Sequence, residues 1–264
     1  MEIIGYIFAI IVGLTLGLTG GGGSILTVPV LVYLIGVSPV LATAYSLFIV
    51  GASSLVGAIS FMQQKLVHYK TALIFGLPSL IAVYVTRKFI MPIVPENIIE
   101  TSSFILTKDV FIMIFFSIIM IVAAVSMIKK KKNLEHTTQE ITYNYPMILI
   151  EGLIVGAVTG FIGAGGGFLI IPALVVFAKM PMKLAVGTSL LIIAIKSLIG
   201  FLGDVGEQQI DWIFLLIFSA ITIAGIFIGL QLNKKISAQN LKKGFGWLVL
   251  FMGAFIILKE IITT

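Results

Sequence analysis

Ten apolar runs cover most of this chain, and short polar segments separate them. Because a membrane-spanning helix needs about 20 apolar residues, most of the runs are long enough to cross a bilayer. Runs 25–36 and 168–178 are too short, since helices of that length reach only about 16–18 Å. The runs occupy residues 3–18, 25–36, 40–61, 70–92, 108–128, 146–161, 168–178, 184–203, 211–231 and 244–262.

Each short run directly follows a glycine-rich interruption. The first interruption, Gly17 to Ser24, reads Gly-Leu-Thr-Gly-Gly-Gly-Gly-Ser, and the second, Gly160 to Gly167, reads Gly-Phe-Ile-Gly-Ala-Gly-Gly-Gly. Consecutive glycines are costly inside a helix, and in a bilayer the freed amides need a partner from protein, water or ligand. We therefore expect two re-entrant hairpins, each with a helix that enters, a turn near mid-depth and a half-helix that leads back.

The two interruptions belong to an internal repeat. When residues 13–57 are aligned without gaps to residues 156–200, 17 of 45 positions are identical at an offset of 143 residues. Self-similarity at a fixed offset indicates duplicated architecture, and paired glycine interruptions point to a transporter's binding site. We predict a first membrane repeat at 1–128, a cytoplasmic linker at 129–145 and a second membrane repeat at 146–264, together forming one functional unit.

Composition places the chain in a membrane. It is 59% hydrophobic and 11% charged, which leaves too few charges to cover the surface of a soluble protein of 264 residues. The net charge of +6 does not indicate nucleic-acid binding, because the lysines occupy short loops between apolar runs. The chain has no cysteine, which excludes disulfides and thiolate chemistry. We predict an all-α polytopic membrane protein.

Charged loops orient the chain. Placing the Lys129–Lys132 cluster in the cytoplasm puts 12 of the 17 basic residues inside, as the positive-inside rule expects. The loop from Gln63 to Lys70 is then basic and inside, whereas its repeat counterpart from Gly206 to Asp211 is acidic and outside. Opposite charges on equivalent loops predict an inverted-topology repeat, in which each half holds a Gly-broken (re-entrant) helical hairpin plus three transmembrane helices. Arg87 and Lys88, which fall outside, fit the rule least well.

The glycine interruptions predict an anion site. A helix N-terminus offers unpaired amides and partial positive charge, and glycine lets amides approach a small oxyanion closely. Inversion would bring the half-helices that begin at Ser24 and Gly167 toward one cavity. Tight helix packing by small residues is the alternative explanation. The candidate substrate-binding residues are Thr19, Gly20, Gly21, Gly22, Gly23, Ser24, Ser46, Gly163, Ala164, Gly165, Gly166, Gly167, Thr188, Ser189 and Lys196.

Lys196 is the candidate that breaks the repeat, because Ser53 holds the equivalent position. A lysine within a membrane span is costly and usually faces a cavity or a partner. We expect its ammonium to attract the anion, and loss of its proton when the anion leaves would couple proton movement to anion movement. The alternative is that the side chain snorkels to the outer interface.

Acidic residues and histidines are absent from the middle of the runs. Glu151 is the acidic residue closest to a run's interior, and His68 and His136 fall in loops. Cation sites usually need carboxylates or imidazoles, and intramembrane proteases need paired aspartates or a serine beside a histidine. We therefore expect no metal site, no cofactor, no catalytic residue and no enzymatic activity.

Two pairs of segments resemble the TauE/SafE sulfite exporter family of bacterial and archaeal permeases. They read Gly-Gly-Gly-Gly-Ser-Ile-Leu-Thr-Val-Pro with Ala-Thr-Ala-Tyr-Ser-Leu-Phe, and Gly-Ala-Gly-Gly-Gly-Phe-Leu-Ile-Ile-Pro with Ala-Val-Gly-Thr-Ser-Leu-Leu. The resemblance covers essentially the whole chain and implies a permease for small sulfur-containing anions: sulfite, sulfonates or thiosulfate. By motif match it points to Gly20 to Ser24, Pro29, Ser46, Gly163 to Gly167, Pro172, Thr188 and Ser189.

The expected mechanism is alternating access in the plasma membrane of a prokaryote, with the anion held at the midplane between the two glycine breaks. The alternative is an anion channel, or a permease for a different small anion or an organic acid. The expected partners are the small anion, coupled protons and the lipid bilayer, and not nucleic acid. The chain is expected to act as a monomer or a homodimer.

The loop charges generate a topology prediction: both termini lie outside and the linker lies inside. Single cysteines introduced at positions 2, 133 and 262 test it, because the chain has no other cysteine. In intact cells an impermeant thiol reagent should label positions 2 and 262 and leave position 133 unlabelled. Labelling of position 133 from outside would overturn the predicted orientation.

Overall fold

The computed structural model describes residues 2–101, 104–128, 145–176, 180–233 and 238–263. Most of the predicted linker, including the Lys129–Lys132 cluster, lies outside the described residues, as do Lys179, Lys234 and Lys235. The described chain is mainly α-helical, so the predicted all-α class is confirmed at that level.

The described elements follow the two repeats in order. The first repeat comprises α1 (Glu2–Thr19), a 3₁₀ turn (Gly22–Leu26), α2 (Thr27–Val30), a π-helical turn (Leu31–Ile35), α3 (Pro39–Gln63), α4 (Tyr69–Val85), a second π-helical turn (Thr86–Ile90), α5 (Met91–Ile93), β1 (Asn97–Thr101), β2 (Phe104–Thr107) and α6 (Lys108–Ile128). The second repeat comprises α7 (Tyr145–Ile162), α8 (Gly167–Val176), α9 (Met182–Leu202), α10 (Trp212–Asn233) and α11 (Ala238–Thr263).

Within the described ranges, five helices are long and apolar enough to cross a membrane, which confirms a polytopic membrane protein. They are Pro39–Gln63, Tyr69–Ile93, Lys108–Val125, Met182–Leu202 and Trp212–Leu232. The spans of α3 and α9 are 67% and 78% buried, against 28% for Tyr69–Ile93. The pair α3 and α9 therefore forms the centre of the molecule, and the other spans present apolar side chains such as Ile81 and Ile213 outward.

The two central helices run antiparallel. Contact positions fall on α9 as they rise on α3: Gly51 lies against Leu198, Gly57 against Leu190 and Phe61 against Gly187. Because α3 and α9 occupy equivalent places in the two repeats, equivalent helices point in opposite directions. This register also places Ser53 level with Lys196, its own repeat counterpart.

Helix packing between the halves occurs in matching pairs. Gly13 of α1 lies against the backbone of Thr222 in α10, and Gly156 of α7 lies against the backbone of Ser79 in α4. The members of the second contact are 143 residues from their counterparts in the first. Glycine lets these helix backbones approach closely, as small residues do in membranes. Each half therefore presents to the other the same surface that it receives.

A hydrogen-bond exchange shows the same relation. The backbone amide of His68 donates to Thr188 Oγ1 at 2.9 Å, and the backbone amide of Asp211 donates to the Tyr45 hydroxyl at 2.7 Å. His68 and Asp211 are repeat counterparts, as are Tyr45 and Thr188. Each central helix thus fixes the start of the span that follows the other central helix.

One element was not predicted: an antiparallel hairpin in the segment between α5 and α6. Asn97–Thr101 pairs with Phe104–Thr107, with Glu100 opposite Ile105. The segment is rich in isoleucine and threonine, which favour strands. It is too polar and too short to appear as an apolar run, so the hydropathy pattern passed over it.

Candidate functional site

Both glycine interruptions end a helix at the same repeat position. α1 ends at Thr19 and α7 at Ile162. Positive φ angles follow in each half: Gly20 at 70° and Gly21 at 122°, then Gly163 at 72°, Gly165 at 63° and Gly166 at 73°. Glycine adopts such angles without the steric cost that a Cβ imposes. The chain can therefore turn sharply out of α1 and α7 at these points.

The two breaks meet in the middle of the molecule. A Cβ on Gly167 would overlap the backbone of Gly21, so the two chains touch backbone to backbone. Ile193 of α9 lies beside this contact, and a Cβ on Gly165 would fall 2.5 Å from Val50 of α3. The contact between the breaks is therefore enclosed by the two central helices.

A helical segment begins directly after each break. The second starts at Gly167, as predicted, and continues as a regular α-helix to Val176. The first starts at Gly22, two residues before the predicted Ser24, and changes from 3₁₀ to α to π geometry before it ends at Ile35. The first amides of any helix lack an intrahelical acceptor, so both segments offer donors at the break.

The predicted hydroxyl groups divide into two sets. Thr19 Oγ1 donates to the Thr15 carbonyl at 2.7 Å, and Ser24 Oγ donates to the Gly21 carbonyl at 2.7 Å, so both close on their own chain. Ser189 Oγ reaches across to the Gly20 carbonyl at 2.6 Å and joins α9 to the first break. Thr188 Oγ1 accepts from the His68 amide and is thereby engaged by a loop rather than by a break.

Lys196 lies at the second break. Its side chain is 1% exposed, and Nζ donates to Thr159 Oγ1 at 2.9 Å. A Cβ on Gly166 would be 2.9 Å from Nζ, so the ammonium rests against the positive-φ turn. Neither of the ion pairs in the described ranges involves Lys196. The lysine is therefore held at the level of Ser53 by a hydroxyl rather than at an interface by water.

Buried hydroxyls without a hydrogen-bond partner surround the same region. A buried polar group normally finds a partner, and each one left without a partner costs about 1–3 kcal/mol. The central helices contribute four such groups, and a fifth follows the first break. These fully buried hydroxyls belong to Ser46, Ser53, Ser54, Ser197 and Thr27.

A buried ion pair is the feature that the sequence analysis missed. Arg87 is 1% exposed, its Nη1 lies 3.5 Å from Asp204 Oδ1, and the same Nη1 donates to Thr43 Oγ1 at 3.0 Å. Thr43 lies against Gly163 at the start of the second break. Burial raises the pKa of Asp204, and the Arg87 guanidinium opposes that rise. The signal in the sequence was the predicted placement of Arg87 and Asp204 on the same side of the membrane.

The neighbouring residues form a second pair. Lys88 Nζ donates to Glu207 Oε1 at 2.9 Å, and both side chains are more than one-third exposed. Arg87 and Lys88 were the basic residues that fitted the positive-inside rule least well. Each now has an acidic partner from the loop after α9, so their charges are compensated locally.

Comparison with known proteins identifies the chain's relatives. The family model described as "Sulfite exporter TauE/SafE" matches residues 6–256. A "probable membrane transporter protein" of Xylella fastidiosa (strain 9a5c) is 29% identical over 252 residues, covering 94% of this chain and 91% of the relative. A protein of the same description from Methanocaldococcus jannaschii is 28% identical, covering 96% and 94%. The "probable membrane transporter protein YunE" of Bacillus subtilis is 27% identical, covering 89% and 91%. No solved structure matches the chain.

The crowding at Gly165 generates a prediction. Gly165→Ala should lower the melting temperature in detergent and abolish transport, because the methyl group would meet Val50 at a φ of 63°. Gly206→Ala is the matched control, since Gly206 has a φ of 93° but nothing within 4 Å of an added Cβ. The control should show only the backbone strain, about 1–2 kcal/mol, and keep its transport rate. Equal losses in both variants would mean that the turn, and not the enclosure of the break, matters.

Proposed function

The chain belongs to the TauE/SafE sulfite exporter family, and from this membership we propose that it carries small sulfur-containing anions across a prokaryotic plasma membrane. It is a membrane transporter protein of this family. Sulfite, sulfonates and thiosulfate are the proposed substrates, because they are small oxyanions that amides, hydroxyls and one ammonium can bind together.

The observation that supports an anion site is the meeting of three features at one level of the molecule. The glycine breaks touch at Gly21 and Gly167, the ammonium of Lys196 rests against Gly166, and buried hydroxyls without partners lie on both central helices. A cation needs an anion nearby when it is buried, and the hydroxyls need an acceptor or a donor. An oxyanion held between the breaks would meet both needs.

Alternating access is supported by the opposed directions of α3 and α9. Equivalent helices that run antiparallel correspond to a two-fold axis in the plane of the membrane, which is the arrangement of inverted-repeat transporters. In that arrangement the two halves can exchange conformations around a fixed midplane site. The reciprocal contacts of Gly13 with Thr222 and of Gly156 with Ser79 are the surfaces on which such an exchange would slide.

The proposed orientation, with both termini outside, is supported by the ion pairs. Arg87 and Lys88 pair with Asp204 and Glu207, and the loop charges independently place all four residues outside. The two exceptions to the positive-inside rule are therefore compensated by acidic residues on the same side, so they do not count against the orientation.

Uptake into proteoliposomes tests the function. Purified protein should accumulate radiolabelled sulfite or thiosulfate against empty liposomes, with saturation and with exchange of labelled for unlabelled anion. Sulfate, chloride and acetate serve as competitors that define the class. If only chloride or an organic acid competes, the sulfur-anion proposal is wrong. If current recordings show many ions per opening and no exchange, the protein is a channel rather than a carrier.

Lys196→Met should weaken binding of the transported anion about tenfold or more, roughly 1.4 kcal/mol, because it keeps the length of the side chain and removes the charge. Isothermal titration in detergent measures the change. Lys196→Arg should retain most of the affinity, since a guanidinium stays charged. Lys183→Met is the matched control, because Lys183 is an exposed lysine on the same helix. Unchanged affinity in Lys196→Met would leave the glycine breaks as the sole anion site.

A further inference from the structure

The buried guanidinium of Arg87 is only partly used. An arginine has five N–H donors in a planar fork, and a well-formed carboxylate pair engages two of them at about 2.7–2.9 Å. Here one contact of 3.5 Å joins Nη1 to Asp204, while Nε and Nη2 of Arg87 and Oδ2 of Asp204 have no partner. Asp204 therefore occupies one edge of the fork and leaves the remaining donors buried and available.

Arg87 sits where the chain departs from regular helix. It lies in the π-helical turn Thr86–Ile90, and such turns are frequent at functional sites. Gly203 lies against its Cβ, so the loop after α9 leaves room for the side chain. The backbone thus makes space for an arginine that the apolar surroundings would otherwise exclude.

The guanidinium is connected to the midplane site along one face of α3. Thr43, which accepts from Arg87, is ten residues from Ser53, so the two levels are about 15 Å apart. Ser46 and Val50 lie between them on the same helical face. Ser46 has an unpartnered hydroxyl, and Val50 touches Gly165 of the second break. A stripe with unpartnered hydroxyls and glycine backbone therefore runs from Arg87 toward Lys196.

The repeat provides an internal control on whether the fold needs this cluster. The counterparts of Arg87, Thr43 and Asp204 are Leu230, Val186 and Phe61, all apolar. Val186 packs on Gly20 just as Thr43 packs on Gly163. The same architecture is thus built at the other end without any charge, so packing alone does not require the arginine.

We propose that Arg87 and Thr43 form a second anion-binding site, at the end of the path where the second break begins, and that the Asp204 carboxylate occupies the guanidinium when no anion is bound. The ligand class, a small oxyanion, rests on the proposed transport function. An oxyanion at this site would receive hydrogen bonds from Nε and Nη2 and displace Asp204. The carboxylate acts as a competitor that keeps the site from holding the anion too tightly.

Binding measurements on four purified proteins test the proposal, with thiosulfate and sulfite as titrants. Asp204→Asn keeps the size of the side chain and removes the competing charge, so affinity should rise about tenfold. Arg87→Lys keeps the charge but loses the fork, so affinity should fall by a similar factor. Glu207→Gln, in the exposed pair next door, should leave the affinity at the wild-type value.

The opposite outcome identifies a structural ion pair. If Asp204→Asn lowers the melting temperature and leaves the affinity unchanged or weaker, the proposal is wrong. That result decides the question even when Arg87→Lys does not fold. If the wild-type protein binds neither sulfur anion, the proposed function fails instead. The same proteins titrated with phosphate and chloride then test the arginine alone, and tightening by Asp204→Asn for either anion supports it, whereas tightening for none overturns it.

Discussion

The backbone contact between Gly21 and Gly167 is the constraint on which the rest of the structure depends. A side chain at Gly167 would separate the two breaks, so their approach requires glycine and the positive φ angles around it. That approach in turn requires two helices that end at equivalent points, and two central helices that enclose the contact from opposite directions. In a bilayer no water is available to satisfy irregular backbone, so enclosure by protein is a condition of the break's existence.

The large features followed from local chemistry and could be predicted from the sequence. Apolar runs match the thickness of a membrane, and glycines at membrane depth cannot continue a helix, so the spans and both breaks were visible in one chain. The duplication also allowed the offset to predict which contacts would recur. The start of the second half-helix at Gly167 was predicted correctly, whereas the first begins at Gly22 because its opening turn is 3₁₀ rather than α.

What the sequence could not reveal depends on side-chain direction and on distant partners. Thr188 lies beside Ser189 in the chain, yet one hydroxyl meets the His68 loop and the other meets the first break, because adjacent helical positions point in different directions. Arg87 was treated as a loop charge. Its burial depends on Asp204, 117 residues away, and on the space beside Gly203. The two deeply buried cations are also held differently: Lys196 by a hydroxyl and Arg87 by a hydroxyl and a carboxylate.

The incomplete symmetry of the repeat has a thermodynamic consequence. If the two halves were identical and worked by exchanging conformations, the inward-open and outward-open states would have equal free energy and equal populations. The pairs Ser53 with Lys196 and Leu230 with Arg87 place charge in one half and none at the matching point of the other. Each exchange therefore moves a charged residue into surroundings that its counterpart does not share. These few departures from the duplicated pattern set the resting bias of the carrier, and so the side of the membrane on which it waits for its substrate.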